Sequence, residues 1–137
     1  MKIYSKYFQN FFKNSKVVIQ AKAAQPLSAF IEKGDISSKD FTESLNKILS
    51  DLKIKPHSIL LACTHYPAIT ANIQKRFPKT KILDPSHQVV LTLSLNLKKF
   101  NHKGSTDFNT TGNSQAMKTS ALKAFGIKLQ AVKKIKI

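Results

Sequence analysis

The strongest constraint on the fold is an apolar run that stops at the only cysteine and is followed closely by a proline. Residues 58–62 have the character of a short buried strand, and Cys63 comes directly after them. Pro67 suits the first turn of a helix, because its fixed φ and missing N–H cost nothing there. We therefore expect Cys63 at the carboxyl end of a strand, where open α/β sheets bind their ligands and where a helix N-terminus favours a reactive thiol.

The rest of the chain alternates between helical and strand patterns. Strands are predicted at residues 17–21, 58–62 and 81–84, and helices at 5–13, 26–33, 67–77 and 86–99. Gly34 closes the helix at 26–33, and Ser37 or Ser38 caps a further helix with Asp40 near its positive end. That capped helix carries one apolar stripe at helical spacing: Phe41, Leu45, Ile48, Leu49 and Leu52. The βαβα order predicts a parallel sheet with flanking helices.

Cysteine content and hydropathy indicate the cellular compartment in which we expect the protein. One cysteine cannot form an internal disulfide, and no apolar run approaches the ~18 residues that would span a bilayer. The N-terminal residues interleave lysines with aromatics, so they lack the continuous apolar stretch of a secretory signal. We expect a globular cytoplasmic protein that has no membrane partner.

The formal net charge of +16 raises nucleic acid as a partner. Of the 23 basic residues, however, only Arg76 is an arginine, and the lysines are scattered along the chain. Specific recognition of nucleic acid favours arginine forks and clustered aromatics. We expect nucleic acid to bind only non-specifically, and a polyanion-binding protein is the least favoured functional class.

The residues around Cys63 resemble a known family. Residues 63–67, Cys-Thr-His-Tyr-Pro after an aliphatic strand, are similar to the second catalytic-cysteine motif of the glutamate racemases, in the aspartate/glutamate racemase superfamily. Aspartate racemases usually carry Glu after Cys-Thr, so His65 favours the glutamate branch. Further segments resemble the same family: Ser5 with Phe8, residues 26–34, 82–84, 108–112 and 125–126.

This resemblance implies a flavodoxin-like α/β fold in two parts. Residues 1–100 would form the second racemase domain, which carries the cysteine motif. Residues 101–137 would form a polar linker, over residues 101–111, and a tail that packs on the first domain. The tail would then be loosely attached or would expose an apolar patch. The implied activity is interconversion of L- and D-glutamate for peptidoglycan synthesis, by a cofactor-free mechanism with two cysteine bases.

Several parts of the family pattern have no counterpart in this sequence. The first catalytic cysteine with its Asn-Thr neighbours, the N-terminal Asp-Ser pair and the Pro-Tyr-Gly loop are missing, and Lys2 stands where the family has a substrate-binding threonine. We therefore expect a truncated racemase completed by a separate N-terminal half or by a homo-oligomer. The alternative is a catalytically inactive remnant.

By resemblance, Cys63 is one of the two acid/base groups, His65 assists proton transfer, and Thr64 contacts the ammonium or carboxylate of the substrate. The residues alone also permit a buried structural cysteine. Asp84 either lines the cleft or caps the helix that follows it, and Gly112 suits a turn. The remaining histidines lack metal-ligand spacing, so no metal site is predicted: His57, His87 and His102.

Overall fold

The computed structural model describes residue 10, residues 12–97 and residues 105–136. Its helices are α1 (Gln25–Glu32), α2 (Lys39–Ser50), a 3₁₀ helix (Tyr66–Ile69), α3 (Thr70–Arg76), α4 (Pro85–Leu97) and α5 (Ser114–Phe125). Its strands are β1 (Ser58–Leu60), β2 (Lys81–Leu83), β3 (Asn109–Thr110) and β4 (Lys133–Lys134). The predicted helix at 5–13 lies mostly outside the described residues, as do Lys2, Ser5, Phe8 and His102.

The predicted parallel sheet is confirmed by the pairing of β1 with β2. Ser58 pairs with Lys81, Ile59 with Ile82 and Leu60 with Leu83 in parallel register. The Leu61 N–H donates to the Leu83 carbonyl at 2.9 Å and so extends the ladder beyond Leu60. Among the described residues β1 and β2 form a two-stranded sheet, and both strands end at the edge that carries Cys63 and Asp84.

The strand predicted at 17–21 is wrong. Val17 and Val18 are 53% and 72% exposed, and the segment has no regular structure. The Gln20 side chain accepts a hydrogen bond from the Lys53 N–H at 2.8 Å and donates one to the Ile54 carbonyl at 2.9 Å. A side chain, and not a backbone ladder, therefore holds this segment beside the loop that follows α2.

The core lies between α1, α2, α3 and the inner face of the sheet. The Ser38 hydroxyl caps α2 by accepting from the Phe41 N–H at 3.2 Å, as predicted. Phe41, Leu45 and Leu49 of the predicted stripe are buried, while Ile48 and Leu52 pack at its margin. The remaining buried apolar residues come from α1, the loop after β1 and the helices that follow that loop: Leu27, Ile31, Leu61, Ile69, Ile73 and Ala124.

Replacing Phe41 by alanine is expected to destabilise the fold by about 3–5 kcal/mol, because the ring is fully buried. It also makes an edge-to-face contact with Phe30, with ring centroids 5.9 Å apart at an interplanar angle of 74°. Urea denaturation of the wild-type protein and of Phe41→Ala measures the difference in their free energies of unfolding. Phe125→Ala is the matched control, because Phe125 is exposed and should lose much less. An equal loss in both variants would contradict this account of the core.

The C-terminal tail is attached to the rest of the protein through α5. This helix contacts α1 and the 3₁₀ helix, and it buries Ala124 in the core. Gly34, with φ of +67°, makes the close approach possible, since a Cβ built there would lie 2.7 Å from the Cβ of Lys123. The tail also leaves large apolar side chains exposed: Leu122, Phe125, Ile127 and Ile135.

Part of the predicted linker at 101–111 forms β3 instead, which pairs in parallel with β4. Leu129, which lies between β3 and β4 in the sequence, is buried.

Within the described ranges, none of the helices combines the length and the apolar character that crossing a membrane would require.

Candidate functional site

Cys63 lies in the loop between β1 and the 3₁₀ helix, at the carboxyl edge of the sheet. Its carbonyl accepts from the Tyr66 N–H at 3.2 Å, and the His65 carbonyl accepts from the Ala68 N–H at 3.1 Å. These bonds form the tight turn into the 3₁₀ helix. Pro67 lies in the first turn of that helix, in the role expected for it.

The α-helix predicted over 67–77 is divided in two. Ile69 has φ of −110° and ψ of 14°, so the 3₁₀ turn over Tyr66–Ile69 ends there and α3 starts at Thr70. Cys63 therefore faces a short 3₁₀ turn and not the N-terminus of an α-helix. The prediction that a helix N-terminus favours a reactive thiol at Cys63 stays a prediction, with the 3₁₀ turn in the place of the expected α-helix.

A chain of three side chains begins at Cys63. Its Sγ lies 3.4 Å from Nδ1 of His65, and Nε2 of His65 lies 3.3 Å from Oε1 of Glu32. The thiol and the imidazole are partly buried, whereas the Glu32 carboxylate reaches solvent. The two nitrogens of one imidazole thus connect a thiol to a carboxylate.

Packing of α1 against the 3₁₀ helix brings Glu32 to His65. Glu32 is the last residue of α1, and its neighbour Ile31 is buried in the same core as Ile69 of the 3₁₀ helix. The Asn72 side chain donates to the Ile36 carbonyl at 3.4 Å and ties α3 to the loop after α1. Both ends of the His65–Glu32 contact are therefore held by buried residues.

This arrangement can move a proton to and from the thiol. An imidazole that carries its proton on Nε2, the nitrogen that faces the Glu32 carboxylate, leaves Nδ1 with a lone pair for the Cys63 thiol. Nδ1 can then accept the thiol proton, and the carboxylate stabilises the imidazolium that forms. The geometry is that of an activated cysteine, with Glu32 as the group that orients the base.

Tyr66 stands beside this chain. Burial raises the pKa of its phenol, and the negative charge of the neighbouring Cys63 thiolate raises it further. The phenol therefore stays protonated at neutral pH. It adds a neutral hydroxyl to the surroundings of the thiol without competing as a base.

The other candidate residues fall into two groups. Thr64 is exposed next to Cys63, where a small molecule can reach it. Asp84 caps α4, because its carboxylate accepts from the Ser86 N–H at 2.9 Å and from the Ser86 hydroxyl. The Ser86 hydroxyl, and more weakly the backbone of Ser86 and His87, hold the pKa of Asp84 below its usual value. The capping role considered for Asp84 is thus confirmed.

The histidines outside the site lie at the surface where the structure describes them. His57 and His87 are exposed, and Nδ1 of His57 lies 3.1 Å from the Ser58 hydroxyl. The Gly112 N–H donates to the Thr110 hydroxyl at 3.1 Å in a local turn. Among residues 12–97 and 105–136, no three His, Cys, Asp or Glu side chains come together as metal ligands.

Sequence reasoning did not assign a role to Glu32. The residue lies 33 positions before His65, and nothing in the spacing of a carboxylate and a histidine so far apart predicts a contact. The available signal was the match of residues 26–34 to a family segment that contains Glu32 and Gly34.

We expect iodoacetamide to alkylate Cys63 in the folded chain at neutral pH faster than in the urea-unfolded chain, because Nδ1 of His65 lies 3.4 Å from Sγ and can accept the thiol proton. His65→Asn should slow alkylation of the folded chain, and Glu32→Gln should slow it less. The measurement is the rate of mass increase on intact protein. A thiol that reacts only after unfolding would instead identify Cys63 as a structural cysteine.

No family model matches the chain. A curated glutamate racemase from Prochlorococcus marinus (strain NATL1A) is 36% identical over 125 residues, which cover 85% of this chain and 44% of the relative. The chain spans less than half the length of the curated relatives it matches, from 42% to 46%.

Solved structures share the fold. A glutamate racemase isoform from Bacillus anthracis superposes with a TM-score of 0.74 at 20% identity, covering 99% of this chain and 53% of its own. Glutamate racemase from Francisella tularensis, solved with D-glutamate, gives a TM-score of 0.67 at 22% identity, covering 95% of this chain and 52% of its own. Sequence and fold both match the C-terminal half of these proteins.

Proposed function

We propose that this chain, which corresponds in sequence and fold to the C-terminal half of glutamate racemases, supplies half of an active site that interconverts L- and D-glutamate. The observation that carries the proposal is the contact chain from Cys63 through His65 to Glu32, at 3.4 and 3.3 Å. A thiol with a base at hydrogen-bond distance and an acid behind that base is equipped for proton transfer at carbon.

In the proposed reaction Cys63 acts on one face of the substrate's α-carbon. With its proton on His65, the Cys63 thiolate takes the α-proton, and the electron pair of the broken C–H bond stays on the substrate as a carbanion. A second acid on the opposite face then delivers a proton, which inverts the centre. In the reverse direction Cys63 is the thiol that delivers the proton, so no cofactor takes part.

The assignment of substrate rests on the relatives. They are named glutamate racemases, and one structural neighbour was solved with D-glutamate. In this chain the exposed Thr64 hydroxyl beside Cys63 is the proposed contact for the ammonium or carboxylate of glutamate. Production of D-glutamate for peptidoglycan in the cytoplasm is the role that this activity would serve.

The proposed reaction needs a second acid, and Cys63 is the only cysteine of this chain. We place it on the N-terminal half of a racemase, the part of the relatives that this chain does not match. A second candidate function is that of a folded racemase remnant without activity. The third and least favoured candidate is a polyanion-binding protein.

Solvent deuterium tests the proposed mechanism. The chain is mixed with the N-terminal half of the Prochlorococcus marinus relative and incubated with L-glutamate in D₂O. Two bases on opposite faces predict that newly formed D-glutamate carries deuterium at the α-carbon while the remaining L-glutamate still carries hydrogen early in the reaction. Mass spectrometry of the separated enantiomers measures both.

Two results would contradict the proposal. Early deuterium in both enantiomers would indicate a single base that exchanges with solvent. A bound pair that forms no D-glutamate would favour the remnant, provided that binding of the two halves is shown separately.

A further inference from the structure

The three side chains that meet at Cys63 have the roles of a nucleophilic site. Sγ of Cys63 lies 3.4 Å from Nδ1 of His65, and Nε2 of the same ring lies 3.3 Å from Oε1 of Glu32. A nucleophile, a base within reach of it and a third group that orients the base are the parts of acyl-transfer sites, which recur on unrelated folds. Geometry and roles, and not sequence order, identify such a site.

Acyl transfer requires fewer groups than racemisation does. In the proposed racemisation the thiol of Cys63 acts as an acid and a base, and a second acid has to stand on the opposite face of the substrate. Attack on a carbonyl carbon requires one nucleophile and one base, which Cys63 and His65 supply together. The chemistry of acyl transfer is therefore open to this chain by itself.

The site is accessible to water and to small molecules. The Cys63 side chain is partly buried, Thr64 next to it is exposed, and the side chain of His65 is 36% exposed. Water can thus approach the imidazole that has to activate it. Since the groups lie in a loop at the edge of the sheet, they suit a small acyl group on a good leaving group and not a long acyl chain that needs a deep cavity.

We propose that this chain, without any partner, transfers small acyl groups from activated esters, namely aryl esters and thioesters, to water through the thiol of Cys63. The reaction uses neither the N-terminal half of a racemase nor an amino-acid substrate. It is therefore independent of the proposed racemisation.

The first step acylates the thiol. Nδ1 of His65 takes the thiol proton, and an electron pair of Sγ forms a bond to the carbonyl carbon of the ester. The bond to the leaving group breaks with its electron pair on the leaving oxygen or sulfur, which takes the proton from His65. Cys63 is then a thioester.

The second step returns the thiol. His65 takes a proton from water, and the hydroxide oxygen attacks the carbonyl carbon of the thioester. The C–S bond breaks with its electron pair on Sγ, which recovers the proton from His65. The products are a carboxylic acid and a phenol or thiol, so the sequence consumes one ester and one water and needs no oxidant or reductant.

The probe for this activity is p-nitrophenyl acetate, whose nitrophenol is measured by absorbance and whose acetyl group is measured as added mass on intact protein. We expect a burst of about one equivalent of nitrophenol per chain, followed by steady turnover, since a burst is the kinetic sign of a covalent acyl intermediate.

The 22 lysines set the background, because amines also accept acetyl groups. Hydroxylamine separates the two products, since it cleaves the thioester on Cys63 and leaves the amide on lysine in place. Cys63→Ala gives the background rate. Wild-type chain whose Cys63 has been alkylated with iodoacetamide gives a second background with an unchanged sequence.

Two histidine variants test the base. His65→Asn removes it, and His57→Asn makes the same change at an exposed histidine whose Nδ1 lies 3.1 Å from the Ser58 hydroxyl. We expect His65→Asn to slow the burst roughly 10²-fold, the contribution of a positioned base. It should also keep its acetyl group on Cys63, since water then lacks a base, whereas His57→Asn should behave as wild type does.

The retained thioester separates a catalytic role of His65 from a structural one, because a distorted loop would slow the burst without trapping the intermediate. Nitrophenol release no faster than in Cys63→Ala would overturn the proposal. A wild-type chain that is acetylated once and then stays acetylated would overturn it too, as would equal rates in His65→Asn and wild type. None of these results decides the racemisation, which is measured with glutamate and the N-terminal half.

Discussion

The 137-residue chain alone is expected to show no racemisation of glutamate. A proton must leave one face of the α-carbon and another must arrive on the opposite face, and Cys63 reaches only one of them. In the proposed function the chain supplies only half of the site, and half a site neither orients the substrate nor excludes bulk water. Orientation alone is worth ~7–11 kcal/mol of barrier, which is several orders of magnitude in rate.

The absence of racemisation is checked by incubating the purified chain with L-glutamate and measuring D-glutamate by chiral chromatography. Addition of the N-terminal half in equimolar amount should produce turnover, and the Cys63→Ala chain serves as the background. Enzyme-level turnover by the lone wild-type chain would contradict the expectation. Light scattering at the assay concentration then shows whether a homo-oligomer supplies the second base.

Local features of the fold were predictable because their causes are local. Ser38 caps α2 through a hydroxyl three residues from its donor, and Gly34 follows α1 with the positive φ that few other residues adopt. The parallel pairing of β1 with β2 followed from the order of elements along the chain. In each case the determining residues lie within a few positions of the feature.

Features that depend on distant partners were not predictable in this way. Residues 17–21 have a strand-like pattern, but a strand needs a neighbour, and the Gln20 side chain bonds the Ile54 backbone where a ladder would be required. β3 was read as linker because it has two residues and its partner, β4, lies more than twenty positions later. Both errors have the same cause: whether a segment becomes a strand depends on a distant partner strand, which the local sequence pattern does not specify.

The candidate site shows the same division. The placement of Cys63, Thr64 and His65 in one loop after β1 follows from their adjacency in the chain. The Glu32 contact requires α1 to pack against the 3₁₀ helix, and that depends on Ile31 and Ile69 meeting in the core. Periodicity predicts that such residues are buried but does not identify the residue that each of them contacts.

Replacing Cys63 by alanine is expected to reduce racemisation by the completed pair roughly 10²–10⁴-fold, the usual contribution of a positioned acid or base. Alanine removes the group that, in the proposed reaction, takes and returns the proton of the α-carbon. Cys63→Ser should lose nearly as much, because an alcohol is a far weaker acid than a thiol and His65 cannot deprotonate it to a useful extent at neutral pH. His65→Asn should lose less, since it keeps the thiol and removes only its base.

Three controls make the result specific to the chemistry. Unfolding temperatures of all variants should stay near that of wild type, because the Cys63 side chain is only partly buried. Calorimetry should show unchanged binding of the N-terminal half, since the substitution removes a single partly buried thiol. Exchange of the α-hydrogen of one enantiomer with D₂O should persist in Cys63→Ala, because the second thiol still attacks from its own face. Wild-type racemisation by a folded, bound Cys63→Ala chain would show that Cys63 does not carry the reaction and that the resemblance of its loop to a racemase motif is structural only.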